Sequence, residues 1–264
     1  MNHKYLTLQH IGSGSQANVY SAVDKSNHNL VALKLFEHNA VSWNEIMILK
    51  RIQKLSLKYS VTMMNTFSHN NQLCLVMEYV QGVELIHLIS DRKFLDCDRK
   101  LLFKNLLLAV NELHTNDICH LDLKLENILV DRKTCEVKLV DFGFAQFTKE
   151  SGCDRLITQF FGSIHYSAPE IIRNLPFDGK KADIWALGCL LFILLTQRFP
   201  FPGNQTRFDY NSIANQILSY RISYPSYFDP LTINLLSKMM AIDPNKRPPI
   251  DLLLQHPWFS KLIL

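Results

Sequence analysis

Eight consecutive residues, His120-Leu121-Asp122-Leu123-Lys124-Leu125-Glu126-Asn127, put a carboxylate, an amine and a carboxamide within a few positions of one another. Asp141-Phe142-Gly143 follows fourteen positions after Asn127. Moving a phosphoryl group requires a carboxylate to orient and deprotonate the attacking hydroxyl, a cation on the transferring phosphate, and oxygen ligands for magnesium. Asp122, Lys124, Asn127 and Asp141 supply all three kinds of group.

A second set lies near the N-terminus. In Gly12-Ser13-Gly14-Ser15-Gln16-Ala17-Asn18-Val19 the glycines would let backbone amides approach phosphates with no side chain in the way, although a plain hairpin turn has the same composition. Val31-Ala32-Leu33-Lys34 follows on the next strand-like stretch. By itself Lys34 reads as a solvated strand lysine. Ser42 and Glu45 form a capping-box pattern, in which Glu45 would only bond the backbone at a helix start.

The elements that must position these residues change character along the chain. Residues 5 to 36 read as three short strands broken at Gly12–Gly14 and Asp24–Asn29, an antiparallel meander. Ile46, Leu49, Ile52 and Leu55 recur every three residues and predict a helix. Val61–Phe67 and Leu73–Glu78 read as two more strands. Beyond Gln81-Gly82 the pattern turns to long helices, notably Arg99 to His114. The boundary is therefore placed near residue 80, with residues 1–80 forming one lobe and 81–264 the other. The apolar run Ile184 to Leu195 is too short for a bilayer, which needs about 20 residues, and it predicts a buried core helix.

Composition narrows the class. Of the 264 residues 47% are hydrophobic and 20% charged, as in an ordinary globular chain, and the net charge of +4 is spread without a basic cluster, which argues against nucleic acid. The six cysteines form no C-x-x-C pair, so neither a zinc site nor a disulfide framework is indicated and free thiols in a reducing compartment are expected. No signal-peptide pattern precedes Tyr5-Leu6-Thr7-Leu8. The expectation is an intracellular monomer, in cytoplasm or nucleus, that does not engage a membrane.

Taken together, these motifs resemble the signature set of the eukaryotic protein kinases: a glycine-rich loop, V-A-I-K, H-R-D-L-x-x-x-N, D-F-G and A-P-E. They run in that family's order from Gly12 to Trp258. The resemblance implies an α+β, bilobal fold, with a five-stranded antiparallel sheet plus one helix in the N-lobe and a mainly helical C-lobe. It implies ATP and Mg2+ as cofactors and protein serine or threonine hydroxyls as acceptors. The catalytic set would be Asp122, Lys124, Asn127, Lys34 and Glu45, with Asn127 and Asp141 holding metal. Glu45, rather than Glu37, which lies too near the strand, would be the ion-pair partner of Lys34, a second reading beside its capping-box role. The nucleotide would be met by Ile11, Gly12, Gly14, Val19, Ala32, Lys34, Met77, Glu78, Val80, Glu84, Leu129 and Asp141, though Val19, Ala32 and Leu129 would equally serve as core packing. Lys124 and Ser163, in Gly162-Ser163-Ile164-His165-Tyr166-Ser167-Ala168-Pro169-Glu170, mark the serine/threonine branch, and the form of that segment is similar to the calmodulin-dependent and Snf1-like group. Glu170 is expected to pair with Arg247, and Asp183 to hold the catalytic-loop backbone. Leu121 departs from the family, which usually has Arg there to receive a phosphate on the activation segment. Activation through Thr158 is therefore not expected, and Phe160, Phe161 and Ile164 would hold that segment by packing. A pseudokinase scaffold and a small-molecule or lipid kinase are the rival readings.

Overall fold

The structure is a computed structural model, and it describes residues 4–13, 17–36, 43–69, 72–90, 99–150, 152–159, 162–204 and 208–260. Gly14, Ser42, Phe160 and Phe161 lie outside the described residues. The chain divides into two compact units, Met1–Gln81 and Gly82–Leu264.

The first unit holds β1 (Tyr5–Ser13), β2 (Ala17–Asp24), β3 (Leu30–Phe36), α1 (Trp43–Leu55), β4 (Met63–His69) and β5 (Gln72–Glu78). Its strands form one antiparallel sheet in the order β1-β2-β3-β5-β4. The β2–β3 turn is set locally: Asp24 Oδ1 accepts from the amide (2.9 Å) and hydroxyl (2.6 Å) of Ser26, a side-chain bond that stands in for a backbone turn. Period-two alternation then sorts the sheet into faces. Tyr5, Ala22, Val31, Leu33, Cys74 and Val76 form a buried cluster on one face, with Leu35 and Phe67 packed against it. Helix α1 buries Ile46, Ile48, Leu49 and Ile52 as the 3.6-residue period requires.

The second unit contains the short strand β6 (Val83–Glu84), α2 (Leu85–Ser90), α3 (Arg99–Thr115), β7 (Ile118–Cys119), β8 (Ile128–Val130), β9 (Val137–Leu139) and β10 (Gln146–Phe147). These are followed by β11 (Lys149–Glu150), β12 (Cys153–Asp154), α4 (Pro169–Ile172), α5 (Gly179–Thr196), α6 (Tyr210–Leu218), α7 (Pro230–Met239) and α8 (Ile250–Leu254). Its centre is α5, apolar on every side and buried from Ala182 to Leu194, as a helix without a polar face must be. Asp178 caps it by accepting from the amides of Lys180 and Lys181, and Gln197 ends it in a left-handed conformation (φ 57°). Among the described residues no helix is long and apolar enough to cross a membrane.

One sequence expectation is corrected. Cys74, Cys119, Cys153 and Cys189 carry free thiols, but Cys135 is bonded in a disulfide. Residue spacing alone could not reveal it, because a disulfide depends on which side chains the fold brings together. Burial pushes the Cys74 thiol up to about 12 and those of Cys119 and Cys189 well above the ordinary range, so these three are unreactive as nucleophiles.

Candidate active site

In the first unit, strand register assembles one functional face. Val19 is paired with Lys34 across β2 and β3, and Ala32 with Met77 across β3 and β5, so these four side chains share the face opposite the buried cluster. Gly12 pairs with Val19, and adds no side chain there. Lys34 is 9% exposed, and its ammonium donates to Glu45 Oε1 at 2.6 Å. Glu45 is itself 1% exposed. The ion pair is thus formed, because the helical period turns Glu45 inward with Ile46 and Leu49, while Ser42, its partner in the capping reading, lies outside the described residues. Two buried charges are tolerable only when paired. Glu78 donates its N–H to Thr62 O (3.0 Å), and its carboxylate accepts from Thr62 N (2.9 Å). Ile11 is exposed near the end of β1, and Val80 is partly buried just beyond β5.

In the second unit, residues 120–127 link β7 to β8, and Asp183 of α5 holds them. Its Oδ2 accepts from His120 N (2.8 Å) and lies 2.9 Å from His114 Nε2, and its Oδ1 accepts from Leu121 N (2.8 Å). Those bonds hold Leu121 at φ 64°, a left-handed conformation that costs a non-glycine residue about 1–2 kcal/mol. The turn is thereby fixed directly before Asp122, which is itself buried. His120 ties the loop to its neighbour: its Nδ1 accepts from Asp122 N (3.3 Å), which leaves the proton on Nε2 to donate to Val140 O (3.1 Å). Val140 N in turn donates to Asn127 O (3.0 Å). Asp141 follows directly, exposed and also left-handed (φ 59°), with Phe142 buried against the His120 ring at 5.0 Å.

These restraints converge on one carboxylate. Lys124 Nζ (2.7 Å) and Asn127 Nδ2 (3.0 Å) both donate to Asp122 Oδ2, and Asn127 Nδ2 also donates to Asp122 O (2.9 Å). No group among the described residues bonds Asp122 Oδ1, so that oxygen is left to accept an incoming hydroxyl. Because the amide nitrogen of Asn127 is committed, its oxygen is the atom left for a cation. Asn127 and Asp141 offer hard oxygen donors, the set magnesium takes together with phosphate oxygens, so the residues present fit that ion. A small cavity of about 10 Å3, room for roughly one water molecule, is lined by Leu121, Asp122, Ser163, Tyr166 and Asp183 among others. Burial raises the Tyr166 phenol well above its ordinary value, and the nearby Glu126 charge adds to this. Glu84 and Leu129 are cross-strand partners on β6 and β8, partly buried, and the Glu84 carboxylate lies 3.6 Å from His87 Nε2.

The supporting frame is equally specific. Arg247, with no exposed surface, donates bidentately to Glu170 (2.6 and 2.8 Å) and also to the carbonyls of Ala241, Lys181 and Ile242. Its guanidinium lies 5.1 Å from the Trp185 ring centroid. His114 and the bridging role of His120 were not evident from sequence. His114 meets Asp183 across 69 residues of chain, and no local pattern signals such a contact.

A bilobal α+β fold with this carboxylate-centred loop defines a phosphotransferase scaffold. The chain belongs to the protein kinase domain family, whose profile matches residues 5–259. Similar curated proteins include a probable serine/threonine-protein kinase of Dictyostelium discoideum, 29% identical over 262 residues (94% of this chain, 30% of that protein). NUAK family SNF1-like kinase 1 of Homo sapiens is 28% identical over 266 residues (98% and 39%). CBL-interacting protein kinase 5 of Oryza sativa subsp. japonica is 30% identical over 267 residues (98% and 56%). The chain thus spans between about a third and just over half the length of these relatives.

Proposed function

We propose that this chain transfers the γ-phosphate of Mg-ATP to serine or threonine hydroxyls of proteins. The observation that carries the proposal is the convergence of Lys124 and Asn127 on one oxygen of Asp122, with the other oxygen left for a hydroxyl. Asp122 orients the acceptor hydroxyl and takes its proton as the bond to phosphorus forms. Lys124, held beside Asp122, compensates charge on the transferring group. Lys34, oriented by Glu45, holds the α and β phosphates. Asn127 and Asp141 would hold magnesium, which when bound neutralises charge on the phosphate oxygens. Gly12 and Gly14 would bring backbone amides to the phosphates, Ile11, Val19, Ala32, Met77 and Leu129 would enclose the base, Glu78 and Val80 would bond it, and Glu84 would meet the ribose.

Lys124 and Ser163 favour serine/threonine over tyrosine acceptors, and relatives whose names place them in SNF1-like and CBL-interacting kinase groups support that branch. An intracellular setting follows from the same reading. The complete set Lys34, Glu45, Asp122, Asn127 and Asp141 weighs against a pseudokinase scaffold. The test is phosphotransfer to a generic protein substrate, with phosphoamino acids identified by mass spectrometry, alongside nucleotide binding by calorimetry. Asp122→Asn should lower turnover by about 10²–10⁴-fold and Asp141→Ala should abolish it, while Asp122→Asn keeps ATP affinity. Wild-type turnover in a folded Asp141→Ala protein would refute the assignment. ATP binding with no transfer by the unaltered chain would favour the scaffold.

A further inference from the structure

The geometry points to the solvent face of α1 as a docking surface for an acidic protein segment that carries an apolar anchor at one end. On a helix of 3.6 residues per turn, Trp43, Met47, Lys50, Arg51 and Lys54 fall within one stripe of about 100°, extending about 16 Å along the axis. All five are exposed, Trp43 at 68% and Met47 at 59%. The stripe is polarised along its length: two large apolar side chains at the start of the helix, three cations towards its end. Cations there are favoured by the helix dipole and by themselves carry no inference. The exposed tryptophan and methionine do, since burying either would stabilise a complex and neither contributes to the core.

Charge complementarity selects the occupant. Glu45 is the only acidic residue in α1, and it is turned inward onto Lys34. Lys50, Arg51 and Lys54 therefore present three positive charges with no carboxylate on the same face. A linear peptide with carboxylates at one end and an aromatic or aliphatic residue at the other matches that gradient. A lipid surface would instead favour cations flanking the apolar groups on both sides, and a nucleic acid backbone would make no use of the apolar end. The surface lies on the first unit alone and does not depend on the phosphotransfer reading.

Tryptophan fluorescence reads the site directly. Trp185 and Trp258 are 0% and 3% exposed, so the emission accessible to a quencher comes from Trp43. The probe is a short synthetic peptide of glutamates that ends in phenylalanine and leucine. Its binding is measured by acrylamide quenching and, through a label on the peptide, by fluorescence anisotropy. Binding should blue-shift the emission, protect Trp43 and weaken with added salt. The Lys50→Glu/Lys54→Glu double variant, with circular dichroism and Tm unchanged, should bind at least tenfold more weakly, and Lys50→Gln/Lys54→Gln should fall between. A glutamate peptide without the apolar pair should also bind at least tenfold more weakly. No protection at millimolar peptide, or equal binding by the double variant, would overturn the proposal. So would capture of phosphatidylserine vesicles or duplex DNA in place of the peptide.

Discussion

Removing the Arg247 side chain tests the frame of the second unit most sharply. In the native fold its guanidinium satisfies both oxygens of Glu170 and three backbone carbonyls, with no surface exposed to water. Arg247→Met keeps the aliphatic volume but leaves Glu170, 6% exposed, as a buried and uncompensated carboxylate. Breaking a buried pair from one side costs about 3–5 kcal/mol. The total stability of a domain is about 5–15 kcal/mol, so this is a large share of it. For a domain of this size about 1 kcal/mol shifts Tm by roughly 2–4 °C, so Tm should drop by about 12 °C. Adding Glu170→Gln to Arg247→Met removes the stranded charge and should recover about half of the loss. The remainder persists because the carbonyls of Lys181, Ala241 and Ile242 still lack a donor. Differential scanning calorimetry and urea unfolding of the three proteins measure this directly. A single variant less than about 1 kcal/mol weaker, or a double variant no better than the single, would refute the reasoning.

Glu45→Gln keeps the shape of the buried side chain but removes the charge facing Lys34. It should lower kcat/KM for phosphotransfer by about 10- to 100-fold and also lower Tm, because it strands the buried Lys34 ammonium, and wild-type kinetics would show that the pair is structural only. Thr158→Ala should change turnover by less than about tenfold, about 1.4 kcal/mol of barrier, because Leu121 is buried and apolar and cannot bond a phosphate on the exposed Thr158. Phosphatase-treated protein made in bacteria should be active on the same grounds, and a thousandfold loss on dephosphorylation would sink this. Gly179→Ala should destabilise by about 1–3 kcal/mol in urea unfolding, because the added methyl would overlap Cys119 Sγ and come within 2.7 Å of Ile157 Cδ1.

The α+β division and the chemistry-bearing residues were legible in sequence because both are written in local patterns. Alternation specified the strands of the first unit, a three- to four-residue period specified α1 and α3, and the run from Ile184 to Leu195 specified a helix apolar on all sides, which can only be buried. Asp122, Lys124 and Asn127 lie close enough in the chain for spacing to reveal them. Packing decided that Glu45 meets Lys34 at 2.6 Å, since the same residue suits a helix cap by its local sequence. That Asp183 holds the backbone of Leu121 and His120, 62 and 63 residues back, was implied by the family resemblance and not by spacing, and neither showed that His114 meets the same carboxylate or that Cys135 is bonded. Local patterns report the free energy of a residue among its chain neighbours. The left-handed turn at Leu121, directly before Asp122, depends on hydrogen bonds between segments that only the folded core brings within 3 Å.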